Sequence, residues 1–259
     1  MVIEPDLEQM IAFCGREPVE RVFLYDMAIR QVGRFLALVD DDGDLTSLCH
    51  LGTNLVPSGE GCAVFAGAAG RARARMIIGE EGAVSELWAA AEALLPAPRE
   101  DRPGQPVYTI SEPPVAGESG LRAATEDDLE RLMPACAAAH EEELGVDPLA
   151  HESEGFRWRT RDQIDRGASW LWLEDDVVLF KAEVSAWSPD AAQIAQVWVD
   201  PEARRRGYAA RGMRDLCRLL LETTPTVTLF VRAENAPAIR LYESIGMRRE
   251  LTYRSILFP

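Results

Sequence analysis

Several features that define other classes of protein are absent from this chain of 259 residues. No stretch approaches eighteen uncharged apolar residues, so the sequence predicts no membrane-spanning helix. The N-terminal MVIEPDLEQM is acidic and lacks the layout of a signal peptide, which predicts a cytoplasmic location. The three histidines and five cysteines show no zinc-ligand spacing and no CxxC pair. We therefore expect reduced, buried thiols and no bound metal.

Basic residues are scarce, with 27 Lys and Arg against 43 Asp and Glu and a net charge of −16. This balance argues against a nucleic-acid partner, because a phosphate backbone demands a basic surface. It is compatible with a cationic substrate, although acidity alone more often reflects solubility. The apolar fraction of 47% is typical of a globular protein, and the length suits two domains in a monomer or a homodimer.

Six of the sixteen prolines fall between Pro96 and Gly120, where only residues 107–110 resemble a short strand. Proline lacks the backbone donor that helices and central strands need, so this region indicates a domain boundary. We predict an N-terminal α/β domain over residues 1–112, a linker over 113–119 and a second domain over 120–259. The first domain is expected to shape the functional site of the second, to regulate it or to dimerise.

The pattern after the linker alternates between helix and strand periods, which predicts an α/β domain with a mixed sheet. The expected order is a strand at 121–123, helices at 125–143 and 154–166, a three-stranded meander over 169–199, a helix at 205–221, a strand at 227–231, a helix at 236–244 and two final strands within 247–258.

A faint internal repeat relates the two halves, because residues 77–88 align with residues 231–242. The alignment places Glu81 against Asn235 and Trp88 against Tyr242. Chance similarity between α/β segments explains such a match equally well.

The segment VWVDPEARRRGYAARGM predicts a strand, a turn and a helix N-terminus. Arg204, Arg205 and Arg206 lie at the positive end of the helix dipole, where each costs about 0.3–1 kcal/mol unless an anion offsets it. Gly207 and the small Ala209 leave room for a ligand beside the backbone. The pattern indicates a phosphate site, with a solvated basic turn as the alternative.

RRRGYA resembles the [QR]-x-x-G-x-[GA] motif of the GNAT superfamily of N-acetyltransferases, and VRAENAPAIRLYESIGM, from Val231 to Met247, resembles its V-x-x-x-N-x-x-A-x-x-L-Y-x-x-x-G-F motif. The resemblance spans residues 120–259 and implies acetyl-coenzyme A (acetyl-CoA) as donor and a primary amine as acceptor. The whole chain also resembles two-domain GNAT proteins with an uncharacterised N-terminal domain, through LGTNLVP, EEELGVDP and VVLFKAEVSAW. If the first half is itself a GNAT relative, it is a degenerate one that has lost both the phosphate loop and the tyrosine that would act as the acid.

The resemblance implies a role for each matching position. The backbone of Val197, Trp198 and Val199 would pair with the pantetheine arm. The turn from Arg204 through Gly207 to Tyr208 and Ala209 would hold the diphosphate, and Asn235 would bind the cofactor arm.

Tyr242 would donate a proton to the departing thiolate. A phenol with a pKa near ~10 stays protonated at neutral pH while a thiol has a pKa near ~8.5. The alternative role of Tyr242 is that of a core aromatic residue.

The attacking amine must lose a proton, but Gln193 stands where many family members have a glutamate. Glu183 on the neighbouring strand is the candidate replacement, or else a solvent-facing residue. Glu141, Glu142 and Glu143 oppose the dipole at a helix C-terminus and are candidates for binding a cationic amine, or else a solvated charge run. A non-catalytic acyl-CoA sensor and an inert interaction scaffold are the alternative functions.

Overall fold

The computed structural model describes all 259 residues. The strands are β1 (Val2–Ile3), β2 (Arg34–Val39), β3 (Leu45–Leu51), β4 (Asn54–Gly59), β5 (Met76–Glu80), β6 (Glu100–Ile110), β7 (Leu121–Ala123), β8 (Ser169–Glu174), β9 (Val177–Trp187), β10 (Ala191–Val199), β11 (Thr226–Phe230) and β12 (Arg248–Leu257). The α-helices are α1 (Leu7–Arg16), α2 (Val22–Ile29), α3 (Ala66–Ala69), α4 (Glu81–Ala91), α5 (Leu129–Leu144), α6 (Pro148–Asp165), α7 (Tyr208–Leu220) and α8 (Ala236–Ser244). This element order confirms the mixed α/β class.

All twelve strands form one sheet in the order β1-β2-β3-β4-β5-β12-β6-β11-β10-β9-β8-β7. When β1 to β6 are matched one by one with β7 to β12, the strand order is the same from either edge of the sheet, so the two halves are arranged symmetrically about its centre. Each half contains a strand, two helices, a three-stranded meander, a helix, a parallel strand, a helix and a last strand. The internal repeat in the sequence is therefore present in the topology.

The two halves exchange their last strands. β6 ends the first half but pairs with β11 and β12 of the second, and β12 pairs with β5 of the first half as well as with β6. Residues 113–119, the predicted linker, then lie along α7, where the Asp215 carboxylate accepts hydrogen bonds from the Gly117 and Ser119 amides at 2.6 and 2.8 Å. The division into domains at 112 and 120 stays a prediction.

The strand exchange corrects two expectations. The predicted pair of final strands is the single strand β12, interrupted only by register shifts near Arg249 and Tyr253, and β6 supplies its partner. The strand predicted at 107–110 begins seven residues earlier, at Glu100. Pro103 and Pro106 are tolerated there because β6 pairs with β11 only from Val107 onward.

Buried side chains cover both faces of the sheet in each half. In the second half, α5 and α6 pack on one face around Leu132, and α7 and α8 pack on the other around Leu216. All five cysteines are buried in these cores, as expected. No helix combines the length and the hydropathy that crossing a bilayer requires.

Candidate active site

A cleft opens where β10 and β11 separate. The two parallel strands are bridged only from Ala191 to Gln193, so the edge of β10 beyond Gln193 has no partner on β11. A bulge between Ala195 and Trp198, with Gln196 at φ 51°, bends β10 at this point. An unpaired strand edge offers backbone donors and acceptors to an extended ligand.

A cavity of about 430 Å³ lies in this cleft. β10, the residues after β11 and the end of α5 form one side. Strands β5, β6 and β12 form the other. Its main polar lining residues are Arg102, Gln105, Glu142, Glu143, Gln196, Arg232, Glu234, Asn235, Tyr242 and Ser255. The exchanged strands therefore place side chains of the first half beside those of the second.

The arginine-rich turn ends at α7, which begins at Tyr208 and not at the predicted Arg205. Arg205 and Gly207 have φ angles of 62° and 88°, a left-handed backbone that turns successive amides toward one side. The backbone amides from Arg205 to Ala209 donate to no group of the protein, and no side chain caps the helix. Such a turn has the chemistry of an anion site.

Arg204 differs from the two arginines that follow it. Its Nη2 lies 2.5 Å from Oε1 of Glu142, the oxygen that also accepts a 3.3 Å hydrogen bond from the Trp198 indole. Glu142 thereby ties the end of β10 to the start of the turn. Arg205 and Arg206 have no acidic partner and remain available to a ligand.

Tyr242 lies on α8, whose first turn is capped by the Asn235 side chain through a 3.2 Å bond from the Ala238 amide. The tyrosine is only 6% exposed, yet it lines the cavity, and its hydroxyl has no hydrogen-bond partner in the chain. Burial, together with the charge of Glu143, raises the pKa of Tyr242 well above its ordinary value. The phenol therefore stays protonated at neutral pH and can donate.

Glu143 is the carboxylate in this cavity whose protonation is most affected by its surroundings. Burial raises its pKa, although Arg102 and Arg232 oppose the shift. One oxygen accepts a hydrogen bond from the side-chain amide of Gln196 on the bulge of β10. A carboxylate with a raised pKa, held beside a protonated phenol, suits general-base chemistry.

Glu183 does not line the cavity. Its carboxylate lies 2.5 Å from the ammonium of Lys181, whose side chain is fully buried. Burial lowers the pKa of Lys181, but the interactions of its ammonium group with Glu183 and Cys136 together outweigh this effect, and the net shift is upward. The Gln193 side chain also points away from the site, because its amide donates to Ser185 at 2.9 Å.

The cavity brings together six of the residues predicted from the sequence: Val197, Trp198, Asn235, Tyr242, Glu142 and Glu143. Val199 and residues 204–209 follow Trp198 in the sequence but do not line the cavity. Glu141 is exposed and makes no side-chain contact with the cavity. The sequence analysis missed Arg102, Gln105 and Ser255, because only the strand exchange brings them here. No group of three or more His, Cys, Asp or Glu side chains could hold a metal ion.

The first half has the same turn with different chemistry. Gly61, at φ 82°, precedes the helical turn after β4 as Gly207 precedes α7. The amides of Gly61 and Cys62 donate to the carboxylate of Glu86, both at 3.0 Å. Glu80 caps α4 as Asn235 caps α8, which places Leu87, and not the predicted Trp88, opposite Tyr242.

Comparison with known proteins agrees with this geometry. Residues 130–247 match the acetyltransferase (GNAT) family, and residues 33–132 match a domain of unknown function, DUF4081. The C-terminal region is therefore a GNAT acetyltransferase-family domain, preceded by a separate N-terminal domain.

Among curated proteins, the chain is 31% identical over 157 residues to a mycothiol acetyltransferase of Mycobacterium sp. (strain MCS), covering 52% of this chain and 48% of the relative. It is 43% identical over 72 residues to the ribosomal protein bS18-alanine N-acetyltransferase of Salmonella typhimurium, which covers 27% of this chain and 47% of the relative. The chain thus spans about half the length of the curated relatives it matches.

Solved structures share the fold over the whole chain. A GNAT-family acetyltransferase from Colwellia psychrerythraea superposes with a TM-score of 0.62 at 10% identity, with both chains fully covered. A tandem GNAT protein from the clavulanic acid biosynthesis pathway superposes with a TM-score of 0.59 at 12% identity, and the match covers 100% of this chain and 99% of that protein's chain. These similarities show the fold alone.

Proposed function

We propose that this protein transfers an acetyl group from acetyl-CoA directly to a primary amine. The observation that carries the proposal is the free edge of β10, which runs between the amide-rich turn at Gly207 and the cavity that holds the Tyr242 hydroxyl. In this arrangement the turn from Arg205 to Ala209 binds the diphosphate, the backbone from Val197 to Val199 pairs with the pantetheine arm, and Asn235 contacts the arm at the start of α8. Arg204 supports the turn through Glu142.

The chemistry divides between two side chains. The Glu143 carboxylate takes a proton from the acceptor ammonium, and the neutral amine attacks the thioester carbonyl. The carbon–sulfur bond then breaks, and Tyr242 donates its proton to the leaving thiolate, whose conjugate acid has a pKa near ~8.5. The nitrogen of the new amide loses its second proton to water, which returns a proton to Tyr242, and Glu143 releases its own proton to solvent. Glu183 is the alternative base, although its pairing with Lys181 makes it the weaker candidate.

The acceptor is a primary amine of a small molecule, a peptide or a protein. The name of the Salmonella relative specifies an alanine as the group acetylated, which supports an amine acceptor here. We assign the first half the role of forming one wall of the acceptor cavity, since Arg102 and Gln105 lie there.

The test is an amine screen that measures thiol release from acetyl-CoA, with Tyr242→Phe as the diagnostic variant. We expect this variant to bind acetyl-CoA normally and to lose roughly 10²–10⁴-fold in kcat. Acetyl-CoA that raises the Tm without any thiol release in the screen would indicate an acyl-CoA sensor. Acetyl-CoA that leaves the Tm unchanged at well above ~100 µM would indicate an inert scaffold.

A further inference from the structure

Two arginines lie together on the acceptor side of the cavity. Arg102 comes from β6 of the first half, and Arg232 directly follows β11 of the second half. Nη2 of Arg102 donates to the main-chain oxygen of Glu143 at 3.0 Å, and Nη2 of Arg232 donates to the same oxygen. The shared acceptor fixes both guanidinium groups beside the Glu143 residue.

Each guanidinium keeps donors that the protein does not use. Arg102 is 8% exposed, and its Nη2 also contacts the Glu100 carboxylate at 2.5 Å, while its Nη1 has no partner in the chain. Arg232 forms no ion pair, and its Nε and Nη1 make no hydrogen bond. Arg232 is therefore a partly buried cation without an ion-pair partner, and such a group attracts an anionic group of a ligand.

The other charges of the cavity leave this role open. Glu142 is bound by Arg204, and Glu234 lies beside Asn235 at the cofactor end. The Glu143 carboxylate accepts its hydrogen bond from Gln196, and the arginines donate only to the main-chain oxygen of Glu143, although their charges also act on its carboxylate. The cavity therefore holds a carboxylate and two cations that are all fixed at the same residue, Glu143.

Resting on the proposed function, we infer that the acceptor is an amine that carries a carboxylate close to its amino group, namely an α-amino acid. Arg232 and Nη1 of Arg102 hold the carboxylate, and the amino group faces Glu143 and Tyr242. Arginine suits this task because its planar guanidinium group can donate two parallel hydrogen bonds to the two oxygens of a carboxylate. Met76, Ile78 and Leu257 line the same wall and favour an apolar side chain on the acceptor.

The experiment compares each apolar amino acid with its primary amide, which keeps the amine and the side chain but removes the charge. The comparison is made above the pKa of both amines, so that a difference in amine protonation does not contribute. We expect kcat/KM for the amino acid to exceed that for the amide by roughly 10- to 100-fold, as expected for charge-assisted hydrogen bonds.

Arg232→Gln should abolish this preference by lowering the rate with the amino acid alone, while the rate with the amide and the KM for acetyl-CoA stay unchanged. Arg102→Lys, which keeps the charge but removes the planar guanidinium group, should reduce the preference for the amino acid only in part. Arg240→Gln, on the exposed side of α8, is the matched control and should change nothing.

Equal rates for acids and amides in the unmodified protein would overturn the inference while leaving the transferase proposal standing. An Arg232→Gln variant that lowers both rates equally would overturn it as well. If no amine is acetylated although acetyl-CoA raises the Tm, the proposed function itself fails and the inference fails with it.

Discussion

The carboxylate of Glu86 accepts a 3.0 Å hydrogen bond from the backbone amide of Cys62. The amide of Gly61 donates a matching hydrogen bond to the same carboxylate. In the first half, the Glu86 carboxylate therefore occupies the position that a phosphate would occupy at the Gly207 turn of the second half. An acidic side chain anchored on α4 thus neutralises the helix N-terminus internally, and a second anion would be repelled.

The first prediction concerns this pair. We expect one acetyl-CoA bound per chain in titration calorimetry. Glu86→Ala should leave that stoichiometry unchanged but lower the free energy of unfolding by about 1–3 kcal/mol, because two amides lose their acceptor. Glu86→Gln, which keeps an acceptor oxygen, should be affected less. Two bound molecules in the unmodified protein would contradict this account.

The second prediction concerns the arginines that have no acidic partner. Arg205→Ala/Arg206→Ala should weaken acetyl-CoA binding by roughly 10- to 100-fold, since charge-assisted contacts to the diphosphate are lost. The loss should shrink at high salt because these residues are exposed. Arg71→Ala, at an exposed position in the first half, is the control. Acetyl-pantetheine, which lacks the diphosphate, should bind variant and parent alike, and an equal loss with this ligand would refute the assignment.

The third prediction concerns the protonation of Glu143. Because burial raises its pKa, the carboxylate form, and with it kcat/KM, should increase as the pH rises through that pKa. Glu143→Gln should be slow at every pH and should lack this limb of the profile. An unchanged acidic limb in the variant would assign the base to another group.

The same shift affects stability with a defined sign. A carboxyl group whose pKa is higher in the folded than in the unfolded state destabilises the fold progressively as the pH rises. Glu143→Gln should therefore gain stability relative to the parent at neutral pH. The gain should vanish in acid, below the ordinary pKa of a glutamate, and chemical denaturation at several pH values measures it.

The fourth prediction separates two roles for Glu183. Glu183→Gln should cost about 3–5 kcal/mol of stability, because it leaves the buried ammonium of Lys181 unpaired. Lys181→Met/Glu183→Gln should recover most of that loss and retain kcat. A double variant that folds and binds acetyl-CoA but has lost kcat by 100-fold would make Glu183 the base instead.

The fifth prediction follows from the position of β6 between β11 and β12. A fragment of residues 120–259 lacks this strand and also β5, so one edge of β11 and both edges of β12 lose their partners. We expect this fragment to aggregate and to show no Tm shift with acetyl-CoA. A fragment that begins at residue 99 retains β6 and should be more soluble. Removal of residues 1–3 alone, at the edge of the sheet, should have little effect on binding. A well-folded 120–259 fragment would show that the exchange is dispensable.

Local sequence signals predicted much of the second half. The helix expected at 236–244 is present with those bounds, since an Asn-Ala-Pro start provides both the cap and the first turn. The strand, turn and helix around Gly207 are also present, although the helix starts three residues later because Arg205 and Gly207 adopt the left-handed conformation.

The side of the cavity that β6 and β12 form could not be predicted in this way. Arg102 pairs across the sheet with Ser255, more than 150 residues away, and nothing local to either residue specifies that partner. Glu143 was predicted only as one of three similar carboxylates. What distinguishes it from the other two is its hydrogen bond from Gln196, which a bulge in another strand brings to it.

The reciprocal exchange of β6 and β12 has a consequence for how such a protein diverges. Glu86 can replace a phosphate, and Leu87 can stand where the other half has a tyrosine, without harm to the second half. The backbone that carries them stays under constraint, because its strands complete the neighbour's sheet. The first half can thereby differ from the second at its turn and at the tyrosine position while its strands still complete the shared sheet.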